Sequence, residues 1–71
     1  MIVTIESEEK TWDIAADENS SIENTLRILM EKGMVASVTG EVYSMRKKRN
    51  VDTEKSYREN GIYHGDILKI G

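Results

Sequence analysis

The stretch from Asp17 to Met34, DENSSIENTLRILMEKGM, carries the spacing of an amphipathic helix, and it constrains the fold more than any other feature of this chain. Ile22, Leu26, Leu29 and Met30 fall at i, i+4, i+7 and i+8, one stripe on a 3.6-residue period. Ser20 followed three residues later by Glu23 has the form of a capping box, with Ser21 as the alternative cap. Gly33 stands where a left-handed residue ends a helix, and Met34 where the next residue packs back onto Leu29. Glu23, Arg27, Glu31 and Lys32 form the outer face, Glu23 and Arg27 being an i,i+4 pair in the favourable order. The helix is expected over roughly residues 21–32.

One helix covers one face of one sheet, so the class depends on what flanks it. In MIVTIE, Met1, Val3 and Ile5 share a face; in TWDIAA, Trp12, Ile14 and Ala16 do so, with Asp13 opposite. Alternation on both sides of the short polar break Glu8–Lys10 is the pattern of an antiparallel hairpin with one buried face. Without an Asn-Gly pair the turn type stays open. After the helix, VASVTGE is expected to be a connection leading into EVYSMR, where Val42 points inward. KKRN then forms a polar turn, VDT a short returning strand, and EKSYREN at most one helical turn. Asn60-Gly61 supplies a site tolerant of positive φ, Ile62 plugs the core, and His64-Gly65 makes a further turn. DILKI ends as a strand with Leu68 and Ile70 on one face and Lys69 on the other. Two strands, a helix, then two or three strands give a ββαββ order. Its mixed sheet, packed on one helix, makes a two-layer α+β domain with the first and last strands parallel at the centre.

Composition limits what such a domain can do. Seventy-one residues, 38% of them apolar, make one domain near the lower limit for a self-sufficient core, leaving roughly 40% of the unfolded surface exposed. That leaves little room for an enclosed catalytic pocket. With no cysteine there is no disulfide framework and no zinc-thiolate site. No run of about 18 apolar residues occurs, and the start lacks the basic flank, apolar stretch and small-residue site of a signal peptide. A cytoplasmic location is therefore expected. Net charge is −3, unevenly spread: residues 1–41 carry nine acids against three bases, residues 42–71 seven bases against four acids. Polarisation of this kind suits a protein docking surface better than a nucleic-acid groove.

The ββαββ order is that of the ubiquitin-like β-grasp, and VTIESEEKTWDIAADENSSIENTLRIL resembles the N-terminal hairpin and helix of ubiquitin, including the Ser21–Asn24 helix start. GIYHGDILKI, Gly61 to Ile70, is similar to the closing segment of a bacterial branch, the YukD/EsaB family encoded with type VII (Esx-type) secretion systems. The family pattern G-I-x-x-G-D-x-L-x-I is met by Gly61, Ile62, Gly65, Asp66, Leu68 and Ile70. The resemblance implies a small cytoplasmic accessory or regulator of secretion of helical-hairpin substrates. It also implies a protein partner such as a membrane component of the system, no small-molecule substrate, no cofactor and no catalytic residues.

Individual residues divide between structure and contact. A modifier or sulfur carrier needs a flexible Gly-Gly end whose carboxylate enters an activating enzyme. Here Gly71 stands alone behind Ile70, a core-strand position, which disfavours that alternative without removing it. Asp66 has no companion ligands for a metal and fits a turn-closing acceptor. His64, the one histidine, has no nucleophile in an identifiable relationship and reads as a solvated turn residue. Arg46, Lys47, Lys48 and Arg49 would either blunt an edge or attract an acidic partner in a salt-sensitive way. An RNA site would want aromatic platforms beside them; Tyr43 is nearby, yet no stacking array is visible. Tyr43 is expected on the open sheet face with Thr4 and Lys69. Ubiquitin-like folds often dock partners on that face, so the resemblance makes Tyr43, Met45 and Lys69 contact candidates, although alternation conflicts for Met45 if the strand is regular.

Overall fold

The computed structural model describes residues 1–8, 10–35 and 41–70. The elements run β1 (Ile2–Ser7), β2 (Lys10–Ala15), α1 (Ile22–Glu31), β3 (Val42–Ser44), β4 (Arg49–Val51) and β5 (Ile67–Ile70). They form one five-stranded mixed sheet in the order β2-β1-β5-β3-β4, with α1 against one face, the arrangement of a ubiquitin-like β-grasp. Three strands therefore follow the helix. Residues 36–40, most of the expected VASVTGE connection, and Glu9 in the first turn lie outside the described residues.

β1 and β2 pair antiparallel from Ile2↔Ala15 to Ser7↔Lys10, and Glu8 adopts φ 56° in the turn. Val3 and Ile5 are fully buried, and Trp12, Ile14 and Ala16 pack half-buried beside them, as alternation predicts. β5 lies between β1, to which it is parallel, and β3, to which it is antiparallel. Leu68 is fully buried there, while Lys69 faces outward.

α1 starts one residue later than the capping-box reading implied. Ser21 is the cap, its Oγ accepting from the N–H of Asn24 at 3.1 Å, while the Ser20 hydroxyl donates to the Asp17 carbonyl at 2.9 Å. The buried stripe is Ile22, Thr25, Leu26 and Leu29, and Met30 is exposed. Thr25 replaces Met30 because the Tyr57 hydroxyl donates to its Oγ1 at 2.7 Å, which satisfies a polar group inside the core. Arg27 donates to Asn24. At the other end Gly33, at φ 71°, donates to Met30 and Met34 donates to Leu29, the paired bonds of a Schellman motif.

A reciprocal capping pair forms instead at Ser56 and Glu59. The Ser56 N–H donates to Glu59 Oε1 at 3.1 Å, and the Glu59 N–H to Ser56 Oγ at 3.0 Å. It closes the turn that carries Tyr57, which is completely buried. Asn60, also buried, receives the Asp52 N–H and donates to the Asp52 and Ser56 carbonyls at 2.8–2.9 Å, tying residues 52–60 into one unit. Burial pushes the Tyr57 phenol up from its ordinary value, against a smaller lowering from the Thr25 bond.

The Ser56 backbone and side-chain bonds hold the Glu59 carboxyl below the ordinary carboxylate value. A depressed folded-state value means that this contribution is present above the unfolded value and is lost as pH falls through the folded one. Denaturation of wild type and Glu59→Gln across acid pH should therefore show a stability gap at pH 7 that closes as the carboxyl protonates.

Candidate functional site

The face of the sheet opposite α1 is uncovered among the described residues, and register decides what it presents. Tyr43 pairs with Lys69 on one side and Asn50 on the other; Thr4 pairs with Ile67 and Asp13, and Ile2 with Ala15. Paired residues share a face, so these side chains form one surface. Its β1–β2 part is mixed, with Ile2, 39% exposed, and Ala15 beside polar side chains that partner one another. Thr4 Oγ1 donates to Asp13 Oδ1 at 2.7 Å, and Glu6 stands 3.7 Å from Lys69 Nζ. Its β3–β5 part is apolar: Tyr43, Met45 and Ile67 are each about 40% exposed.

Tyr43, Met45, Lys69 and Ile70, with Glu41 and Asn50 at the rim, line an open groove of about 420 Å³. Asn50 Nδ2 donates to Glu41 Oε2 at 2.7 Å and steadies that rim. The structure thus joins Tyr43, Met45 and Lys69. Met45 belongs with Tyr43 two residues earlier, because its N–H continues the β5 ladder to the Ile67 carbonyl at 2.9 Å before the chain turns. The conflict expected at Met45 does not arise, because residues two apart in a strand share a face and regular alternation itself sets Met45 beside Tyr43.

The four basic residues do not act as one cluster. Arg46 Nη1 donates to the His64 carbonyl at 3.3 Å, Lys47 Nζ lies 5.4 Å from the centroid of the Tyr63 ring, and Arg49 Nη2 donates to the Asn60 carbonyl at 3.1 Å. Arg49 is in β4, opposite buried Ser44, and so faces the helix side. Lys48 takes φ 57° at the turn and is exposed. Three cations thus clasp the Asn60–His64 segment while remaining exposed to solvent.

Asp66 sets the shape of this corner. It is 1% exposed, accepts the Ser44 hydroxyl at 2.7 Å on Oδ2, and accepts the N–H groups of Arg46 and Ile67 on Oδ1 at 3.1 and 2.7 Å. Ser44 Oγ in turn accepts the Lys47 N–H at 3.0 Å. The turn-closing role expected of Asp66 is therefore extended across to β3, and Ser44, which sequence reasoning passed over, is its buried partner. Buried polar groups need partners of this kind. His64 is exposed, and its Nδ1 accepts the Ile2 N–H at 2.9 Å, while the Gly65 N–H donates to the Ile2 carbonyl at 2.8 Å. Gly65 takes φ 90°, a conformation that strains any residue with a Cβ. Gly71, the residue on which a carrier role would turn, lies outside the described residues.

No protein-family model matches this chain, and no characterised protein shows significant sequence similarity to it.

Asp66→Ala leaves three donors without their acceptor and should cost about 3 kcal/mol in urea denaturation. The Arg46 amide should at the same time lose protection from hydrogen exchange.

Proposed function

We propose that this protein is a non-enzymatic, ubiquitin-like docking module: a cytoplasmic, bacterial accessory or regulatory component of a type VII secretion system, of the YukD/EsaB kind. Its partner is a protein, a membrane component of that system. The observation that carries the docking reading is the open-face groove, where Tyr43 and Met45 flank Lys69 on a sheet surface that no element covers among the described residues. Exposed aromatic and Met side chains beside a cation are the make-up of interface anchors. Arg46, Lys47 and Lys48, at the end of the same strand, add positive potential that draws an acidic partner and weakens with salt.

The secretion reading rests on the Gly61–Ile70 pattern, and each of its six positions has a physical task in this fold. Gly61 and Gly65 take positive φ, Ile62 and Leu68 fill the core, Asp66 gathers three donors, and Ile70 pairs with Ser7 and Val42.

In a strain encoding this protein, replacing it with Tyr43→Ala/Met45→Ser should reduce export of the system's small helical substrates, measured in the culture medium. The purified variant should bind its partner roughly thirtyfold more weakly, with stability changed by less than about 1 kcal/mol. Normal export and affinity would remove the groove from the account. Intact mass after incubation with ATP and an E1-like enzyme should show no adenylate or thiocarboxylate at Gly71.

A further inference from the structure

Asparagine occurs four times in the chain, followed by Ser20, Thr25, Val51 and Gly61. The follower matters because its backbone nitrogen can attack the asparagine side chain. That nitrogen gives up its proton and bonds to Cγ, the Cγ–Nδ2 bond breaks, and ammonia leaves carrying the proton. The resulting succinimide takes up a water at either carbonyl and opens to aspartate or to isoaspartate. Nothing is oxidised or reduced. A Cβ on the follower hinders the attack and glycine has none, so Asn60-Gly61 is the most reactive of these pairs in an unfolded chain. Asn19-Ser20 comes next, since Thr25 and Val51 are branched at Cβ.

The fold reverses that order. Asn60 is 5% exposed, and its amide is held on both sides. Oδ1 accepts the Asp52 N–H at 2.9 Å, and Nδ2 gives both its hydrogens, to the Asp52 carbonyl at 2.8 Å and the Ser56 carbonyl at 2.9 Å. The Gly61 N–H donates to the Arg58 carbonyl at 3.0 Å, which retains the proton that must leave before the attack. Turning Cγ toward the Gly61 nitrogen would break three bonds inside a buried turn. Asn19 is exposed, and the group it has bonded is its backbone N–H, to Asp17 Oδ1 at 2.9 Å, not its side-chain amide.

We propose that Asn60-Gly61 is a latent self-modification site, shut while residues 52–60 are folded and opened by unfolding, with water as the co-reactant. The turn itself requires the reactive pair. Gly61 takes φ 72°, and an added Cβ would meet Lys47 Cε at 3.1 Å, so a less reactive follower strains the backbone. The bonds of Asn60 contain the reactivity that this glycine brings. The product no longer fits. Aspartate at position 60 puts a charged oxygen where the NH2 faced the Asp52 and Ser56 carbonyls. Isoaspartate runs the chain through the side chain and adds a backbone atom ahead of Ile62, which is 1% exposed. A chain that has unfolded is thus marked at one place, and a marked chain unfolds again more readily. The site lies outside the open face and does not depend on the secretion reading.

The test holds the full chain at mildly alkaline pH, in buffer and in urea above its unfolding midpoint, while peptide mass spectrometry follows aspartate and isoaspartate at residues 19 and 60. In urea, residue 60 should convert ahead of residue 19, and Gly61→Ala should reverse that order, a readout that needs no folding. In buffer, residue 19 should convert first. Residue 60 should there convert at least about a hundredfold more slowly than in urea, because its reaction waits on opening. Asp66→Ala removes no bond to Asn60. It should speed conversion of residue 60 in buffer by the factor by which it raises the unfolded fraction. Once urea is removed, chains converted at residue 60 should show a lower unfolding midpoint than unconverted ones. The proposal is overturned if residue 60 converts equally fast in buffer and in urea, if residue 19 leads in urea, or if converted chains keep the wild-type midpoint. An unchanged rate in Asp66→Ala would overturn it too, since the reaction would then run inside the folded turn.

Discussion

The structure depends on one pairing, that of β5 with β1. The two strands are parallel and central, with Thr4↔Ile67 through Ser7↔Ile70 in register, and Leu68 is fully buried among Val3, Ile5 and Val42. Parallel strands cannot be joined by a tight turn, so the chain between them must cross a face of the sheet, and α1 makes that crossing. β2 is attached through β1, and β3 and β4 through β5. The last strand thus completes the sheet, and ordering the chain between its two ends carries the entropic cost of a long loop.

Polar side chains hold the seams where regular pairing stops. Asp66 binds β5 to the end of β3, Asn60 closes residues 52–60, and Tyr57 reaches Thr25 on α1. Among the described residues no buried side-chain nitrogen or oxygen lacks a partner. In a core this small, each such group would otherwise cost a sizeable part of the total stability. The basic residues have the same structural use, since Arg46 and Arg49 hold the carbonyls of the segment opposite them.

Among the described residues, the open face and the outer edge of β2 differ chemically. On the open face, register sets Ile2 and Ala15 beside Thr4, Glu6 and Asp13 on β1–β2, and Tyr43, Met45 and Ile67 around Lys69 on β3–β5. The outer edge of β2 presents unpaired main-chain groups beside an apolar cleft.

Elements whose signal is periodic were legible in the sequence: the first hairpin, the helix with its glycine stop, and the closing strand. Residues whose role comes from a distant partner were not. Tyr57 sits in the polar run EKSYREN with no period to mark it, and its burial follows from Thr25, 32 positions away. Ser20-x-x-Glu23 and Ser56-x-x-Glu59 have equal claim as capping boxes, yet only the second forms, because Asp17 engages Ser20. Local spacing by itself determined the two-layer α+β class, the order of its elements and which faces of the outer strands turn inward, since those depend on side-chain periodicity alone. Tertiary structure decided that Ser44 and Asp66 share a buried corner, that the four bases splay apart, and that Tyr43 and Met45 meet Lys69, because those outcomes require the fold to bring residues eleven or more positions apart into contact.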